Sequence, residues 1–276
     1  MTEPDLGGQV ALVTGGGRGI GRATALALAE AGASVAVCAR TGEEVEETAD
    51  AARAMGVGSL AGPVDVTDEA AVRAFVGRVE AELGPIGFFV NNAAAGTVSG
   101  PIAEADQEAW WRCLEVNVRG PMLCVQAALP QMITRGMGRI VTLASGAGLA
   151  PVPNLSAYAI SKTAVIRFTE ILAREVAESG ISAFSVDLGT VRTAMAENLL
   201  DSEEGRRWLP WFGSIFERNQ DVPPEAAAEL IVCLASGRAD DLSGCMLSVE
   251  DDLDEMVTNA EAIVESSHYR LRFSKP

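Results

Sequence analysis

The chain has 276 residues, 48% of them hydrophobic and 5% aromatic, enough for one large domain with a substantial core. Lys and Arg total 21 against 38 Asp and Glu, a formal net charge of −17, which argues against nucleic acid or an anionic membrane as partner because both need a basic patch. His268 is the single histidine, so a histidine-based metal site or a Ser-His-Asp triad is ruled out and no metal is expected.

Cys38, Cys113, Cys124, Cys233 and Cys245 are odd in number and scattered, without a Cys-x-x-Cys pair. A disulfide framework is therefore not expected, and a reducing cytoplasm is. Residues 1–9 are polar and acidic, without the basic start and apolar run of a secretion signal, and no apolar run approaches membrane-spanning length.

Val10 to Thr14 is a short apolar run that reads as a buried strand. Gly15-Gly16-Gly17-Arg18-Gly19-Ile20-Gly21 follows, and an Ala-rich helix runs on to about Ala31 and stops at Gly32. Strand, glycine turn and helix make a phosphate cradle: glycines let the backbone approach a pyrophosphate, and the helix start offers free N–H groups and a positive dipole end. The spacing is Gly15-x3-Gly19-x-Gly21 rather than GxGxxG. An ordinary tight turn is the competing reading, and the placement between strand and helix favours a nucleotide site.

Ser34 to Ala39 is the second strand. An acidic residue at its end would bond an adenosine ribose, but Ala39-Arg40-Thr41 stands there. Arg40, helped by Arg18, would pair with a 2′-phosphate; the alternative is two solvated arginines.

The alternation then continues. Glu43 to Met55 reads as helix, Ser59 to Val64 as strand ending in Asp65-Val66, and Thr67 or Asp68 caps a helix through Leu83. Gly87 to Val90 is a strand ending in Asn91-Asn92-Ala93-Ala94-Ala95-Gly96. Asp106 opens one long helix that carries Asn117 and ends near Gly136, and Arg139 to Ala144 is a strand ending at Ser145. Ser156 caps a helix through Gly180, Ile181 to Asp187 is the sixth strand, Pro224 to Ser236 a helix, and Cys245 to Val249 the last strand. Strands apolar throughout and alternating with helices imply a doubly wound parallel sheet of about seven strands, helices on both faces, in one α/β domain of the Rossmann type spanning 1–252. Residues 253–276 read as a C-terminal tail with a helix-like stretch from Met256 to Ser266.

Tyr158 and Lys162 stand four residues apart, on one helix face and one turn from each other. A phenol beside an ammonium is a proton-transfer pair, and the cation is expected to lower the phenol's pKa from its usual value of about 10. The plainer alternative is an unrelated Tyr and Lys on an amphipathic helix.

Together these residues resemble the short-chain dehydrogenase/reductase family over about Gly8 to Val249. The carriers are Thr14-Gly15-x3-Gly19-Ile20-Gly21, Asp65-Val66, Asn91-Asn92-Ala93, Asn117, Ser145, Tyr158-x3-Lys162 and Thr193. The resemblance implies an NADP(H)-dependent ketone reductase or alcohol dehydrogenase. Tyr158 would exchange the proton with the substrate oxygen, Ser145 would hydrogen-bond that oxygen, Lys162 would hold the nicotinamide ribose, and Asn117 would fix a water behind Lys162. Gly15, Arg18, Gly19, Ile20, Gly21, Arg40, Thr41, Asp65, Val66, Asn92, Ala93, Gly189, Val191 and Thr193 would complete the cofactor site, with Tyr158 and Lys162. NADP(H) would be preferred over NAD(H).

Two positions depart from the family pattern. Ala94 stands where a glycine is usual, which alters the local backbone fit to the cofactor. Leu188-Gly189 replaces Pro-Gly, which implies a more mobile or differently shaped loop on the nicotinamide side. Other readings of the chain are a non-catalytic nucleotide-binding sensor or scaffold, against which the intact Asn117-Ser145-Tyr158-Lys162 set counts, and a sugar epimerase or dehydratase of the related extended family.

The segment from about 190 to 222 is placed as a substrate lid. It carries Trp208, Trp211, Phe212 and Phe216, with Leu149, Val152 and Leu155 as an apolar wall opposite, so the substrate is expected to be a bulky apolar carbonyl compound or its alcohol. The alternative is that the aromatic cluster anchors the lid or forms a subunit contact. Family members pair through the helices matching those from Asp106 and Ser156, so a homodimer or homotetramer is expected. Tyr269-Arg270-Leu271-Arg272-Phe273 would dock on a neighbouring subunit, with a frayed terminus as the alternative.

Overall fold

The computed structural model describes residues 4–96, 99–266 and 268–272. Its strands are β1 (Val10–Thr14), β2 (Ser34–Ala39), β3 (Ser59–Pro63), β4 (Ile86–Asn91), β5 (Gly138–Leu143), β6 (Ile181–Asp187) and β7 (Met246–Ser248). They form one parallel sheet in the order β3-β2-β1-β4-β5-β6-β7. The order reverses direction between β1 and β4, which opens a crevice at their carboxyl ends.

Helices connect the strands. In chain order they are α1 (Gly19–Glu30), α2 (Gly42–Ala54), α3 (Glu69–Glu82), α4 (Gln107–Leu114), α5 (Gly120–Arg135), α6 (Ser156–Glu175), α7 (Ala194–Asp201), α8 (Glu203–Trp208), α9 (Pro210–Glu217), α10 (Pro224–Ala235), α11 (Leu253–Thr258) and α12 (Ala260–Ser266). Along β1, Ala11 and Val13 pack with α1, α2 and α10, while Val10 and Leu12 pack with α3 and α5. Both faces of the strand are buried, which is why it is apolar without alternation. Among the described residues no helix is long and apolar enough to cross a membrane.

Local chemistry sets the helix ends. The Asp68 carboxylate accepts the Ala71 N–H at 3.1 Å and Asp106 accepts that of Ala109 at 2.7 Å, so Asp68 rather than Thr67 caps α3. Gly32 and Gly136 follow α1 and α5 in left-handed conformations, φ 96° and 68°.

Three elements differ from the sequence reading. The single long helix expected from Asp106 is broken into α4, a π-turn at Glu115–Arg119, and α5. The break has a cause in Pro121: it has no N–H to give the carbonyl four residues back, that of Asn117, and its ring crowds that carbonyl. Ser156 does not cap α6. It is the first helical residue, and its hydroxyl accepts the Trp110 Nε1–H at 3.0 Å. The helix itself stops at Glu175 rather than Gly180.

The C-terminal stretch belongs to the body of the domain. It is two short helices broken at Asn259, with Met256 and Ala260 buried in the core shared with α1 and α10. Beyond them the chain packs along its own body. Tyr269 O accepts the Met246 N–H at 2.8 Å, covering the outer edge of β7. Buried Glu170 of α6 accepts the Leu271 N–H at 2.6 Å and pairs with Arg272 at 2.9 Å and Arg167 at 2.6 Å. Phe273, the end of the aromatic-basic pattern, lies outside the described residues.

Candidate active site

The carboxyl ends of β1, β4, β5 and β6 converge on the crevice. At β1 the Thr14 hydroxyl accepts the N–H groups of Asn92 and Ala93, each at 3.1 Å. The Asn92 amide gives its protons to Thr14 O at 2.8 Å and Gly15 O at 3.0 Å. The side chain of Asn92 is thereby spent on holding the glycine turn. Gly15 and Gly19 are left-handed, φ 67° and 53°. A Cβ on Gly21 would lie 2.2 Å from Gly15 O, so only glycine lets α1 begin beneath the loop. The α1 N-cap, Arg18, makes no side-chain cap, which leaves the N–H groups of Gly19, Ile20 and Gly21 as orphan donors at a positive dipole end. Such a cradle fits a pyrophosphate. Thr193 lies across from it, its Cγ2 3.3 Å from where a Gly19 Cβ would be.

At the outer end of the crevice Arg40 and Thr41 are exposed. Arg18 lies 3.6 Å from the Glu44 carboxylate on the first turn of α2, a partner the sequence reading passed over. Asp65 bonds the Thr67 N–H at 2.9 Å and hydroxyl at 2.7 Å, and pairs with Arg112 at 2.7 Å. Desolvation pushes its carboxyl up, but the Thr67 and Arg112 contacts outweigh that and leave its pKa lowered. Val66 beside it is buried.

Ser145 lies two residues past β5, and its Oγ accepts the Ala147 N–H at 3.2 Å. Gly148 brings this loop against α6, since a Cβ there would lie 2.7 Å from the Lys162 carbonyl carbon. Lys162 is buried, donates from Nζ to Leu143 O at 2.7 Å, and holds that nitrogen 5.4 Å from the centroid of the half-buried Tyr158 ring. Behind them Asn117 Oδ1 accepts the Ala95 N–H at 2.8 Å, and Nδ2 donates to Ser161 Oγ at 3.1 Å and Cys113 Sγ at 3.4 Å. The π-turn points this amide inward.

The expected lowering of the Tyr158 pKa by Lys162 is not what the site produces. Burial is the largest influence and pushes the phenol up to about 12; Ser145 hydrogen bonding pulls it down, and Asp187 and Cys113 raise it further. Burial likewise brings the Lys162 ammonium down to about 8, opposed by Cys113 and Asp187. Desolvation, which the sequence pattern does not carry, is the largest influence on both groups.

A profile for the short chain dehydrogenase family matches residues 9–204. The chain belongs to that family. It is 40% identical over 195 residues to a short chain dehydrogenase of Pseudocercospora fijiensis, an alignment spanning 70% of this chain and 63% of that one. It is 34% identical over 248 residues to the 2,5-dichloro-2,5-cyclohexadiene-1,4-diol dehydrogenase of Sphingobium indicum, spanning 89% and 97%. Among solved structures, NAD⁺-bound xylitol dehydrogenase superposes with a TM-score of 0.80 at 30% identity, covering 88% of this chain and 97% of that one.

The segment expected from sequence to be a lid has a definite shape here. Residues 190 to 222 leave and return together: Val191 pairs with Val222, and the Val222 N–H donates to Thr190 O at 2.8 Å. The excursion between them is α7, α8 and α9, with Thr193 accepting the Ala196 N–H at the start of α7 at 3.3 Å. Val191 is buried in the core. Leu209 and Phe216 are buried, Trp211 is exposed, and Arg192 and Arg207 stack over Phe216 and Trp208 at 4.4 and 4.5 Å. Asn154, absent from the sequence reading, donates to Trp208 O at 3.2 Å and fastens this segment to the loop before α6. Leu155 faces the core while Leu149 is exposed, so the expected apolar wall is not continuous.

The Leu188-Gly189 departure is held in shape: Gly189 is left-handed, φ 67°, and its N–H donates to Asp187 at 3.0 Å.

A titration tests the protonation state. Tyr158 and Tyr269 are the two tyrosines, so a Tyr269→Phe variant reports Tyr158 alone. Without cofactor, its near-ultraviolet phenolate absorbance is expected to stay flat through about pH 10, where a free phenol is half ionised. Half-ionisation at or below that pH would show that Lys162 dominates.

Proposed function

We propose that the chain is an NADP(H)-dependent oxidoreductase that interconverts a bulky, largely apolar ketone or aldehyde with its alcohol. The observation that carries this reading is the convergence of Ser145, Tyr158 and buried Lys162 beside the glycine cradle at the switch point of the sheet. The orphan donors of Gly19, Ile20 and Gly21 would hold the pyrophosphate, with Gly15, Ala93, Gly189, Val191 and Thr193 along its path and Asp65-Val66 at the adenine. The nicotinamide, when bound, gives or takes the hydride.

The protein supplies the proton and the geometry. With its pKa at about 12, Tyr158 carries its proton at neutral pH and is ready to donate to a carbonyl oxygen. Ser145 would bond the same oxygen. Lys162, at about 8, still carries its proton at neutral pH and would hold the ribose. The Asn117 side chain spans Ala95 and Ser161, and its backbone carbonyl, released by Pro121, would orient the water behind Lys162.

Arg18 and Arg40 support NADP(H). The aromatic lid and the similarity to a dehydrogenase named for a carbocyclic diol support an apolar ring as substrate. The five free cysteines fit a reducing cytoplasm. Exposed Ile160 and Ile171 on α6 and Met122 and Ile133 on α5 support pairing of two copies through these helices, as a dimer or tetramer. Sedimentation at micromolar concentration should give a multiple of 28.8 kDa; a monomer would refute the pairing.

Across matched ketones of growing apolar size, kcat/KM with NADPH should rise. Tyr158→Phe should fold, bind cofactor and lose about 10²–10⁴-fold in kcat. Near-parent turnover in that variant would end the proposed chemistry.

Arg40→Ala should raise the KM for NADPH roughly tenfold, about 1.4 kcal/mol, and leave that for NADH little changed. Glu44→Gln should act in the opposite direction, by releasing Arg18 to the 2′-phosphate. A parent enzyme that prefers NADH would overturn the cofactor assignment.

A further inference from the structure

We propose that Asp187 is a positioning residue of the catalytic site, joining the Ser145 loop to the start of the lid through one carboxylate. The inference rests on the reading of Ser145, Tyr158 and Lys162 as the reacting set. Asp187 is the last residue of β6. Its backbone completes the sheet, with Asp187 O accepting the Val249 N–H at 3.1 Å. Its side chain stands at the carboxyl edge and divides its oxygens between two loops. Oδ2 accepts the Gly146 N–H at 2.7 Å, and Oδ1 accepts the Gly189 N–H at 3.0 Å.

Those two glycines are not arbitrary neighbours. Gly146 directly follows Ser145, and a Cβ on it would already lie 3.0 Å from Asp187 Oδ2. Gly189 directly precedes the Thr190–Val222 zipper that closes the lid on itself. A carboxylate can accept at both oxygens, whereas an amide would turn its NH₂ toward one of the two N–H groups. Charge-assisted bonds of this kind are short and about twice as strong as neutral ones. They fix a loop that has leucine where the family pattern has proline, and they set the Ser145 hydroxyl and the lid at a constant separation.

The same charge acts on the reacting groups. It favours the neutral phenol of Tyr158 over phenolate and the cation of Lys162 over the free amine. The other groups that face this pair are Ser145 from the loop after β5 and Cys113 from α4, whose thiol burial pushes up. Asp251, just past β7, faces Asp187 itself. Removing the Asp187 charge therefore lowers both proton affinities, while moving the carboxylate disturbs only the loops.

The experiment separates those effects in the full chain. Asp187→Asn and Asp187→Glu are compared with the parent in two ways. The first is titration of the Tyr158 phenol in a Tyr269→Phe background, which needs no substrate. The second is the pH dependence of oxidation of an alcohol that the parent turns over. Asp187→Asn is expected to move both titrations down by about half a pH unit. Asp187→Glu is expected to leave them in place, to speed hydrogen exchange at the Gly146 and Gly189 amides, and to lower kcat about tenfold with KM little changed. Titrations of Asp187→Asn in register with the parent, or parent-like exchange and kcat in Asp187→Glu, would overturn the proposal. Failure of the underlying reading shows separately, as turnover that survives Tyr158→Phe.

Discussion

The hydrogen-bonded knot between Thr14 and Asn92 is the constraint on which the rest depends. β1 and β4 are neighbours whose following chains turn to opposite sides, and nothing in the sheet ladder holds the two turns at a fixed distance. Thr14 and Asn92 do so with side chain to backbone in both directions. The glycine turn is thereby clamped to the end of β4, and the Ala93–Ala95 stretch that follows reaches Asn117 through the Ala95 N–H. From Asn117 the contacts run to Ser161, on the helix that carries Tyr158 and Lys162. The glycine turn and the helix of Tyr158 and Lys162 are thus one connected polar unit. A partly satisfied unit of this kind, in low dielectric, would cost more than an apolar one, so its members are tightly mutually specified.

Most of the fold is legible because it depends on local chemistry. Apolar runs of strand length, glycines at helix ends and Asp caps place every strand of the sheet to within about two residues. Much of the candidate site is legible for a related reason: sheet topology brings strand ends together, so Thr14, Asn92, Ser145 and Gly189 meet once the strands are known. The illegible parts are those decided between distant segments. Glu44 meeting Arg18, Asn154 meeting Trp208 and Asp187 spanning Gly146 and Gly189 leave no periodicity behind. The π-turn at Asn117 is an intermediate case, since Gly120-Pro121 inside a helical pattern is a signal that a regular helix cannot pass.

The proton affinities of Tyr158 and Lys162 are illegible in the sequence for the same reason. A Tyr and a Lys one turn apart suggest attraction, and the distance on a helix supports it. The proton affinities are set instead by how much water is excluded, and that is a property of the packed whole. With Lys162 buried and the Tyr158 ring half-buried, the neutral phenol and the neutral amine gain relative to their ions. A bound cofactor's charge and hydroxyls enter this balance in a cofactor-loaded site, so the free enzyme's order of proton affinities is the starting point and not the working state.

Helix α6 carries a second buried charge besides Lys162, and the two are handled differently. Lys162 has a single strong acceptor, Leu143 O, and its charge is left partly uncompensated. Glu170, further along α6, is surrounded by Arg167, Arg272 and the Leu271 N–H. A buried carboxylate with donors on both oxygens has its charge compensated, whereas a buried ammonium with one partner does not. The asymmetry matches position. Lys162 lies at the crevice, where a ligand can supply the missing partners and gain affinity by doing so. Glu170 lies at the far end, where the chain's own C-terminal segment supplies them and covers the edge of β7. One helix thus presents an incomplete charge to the site and a completed one to the body, and the difference is made by residues more than a hundred positions away.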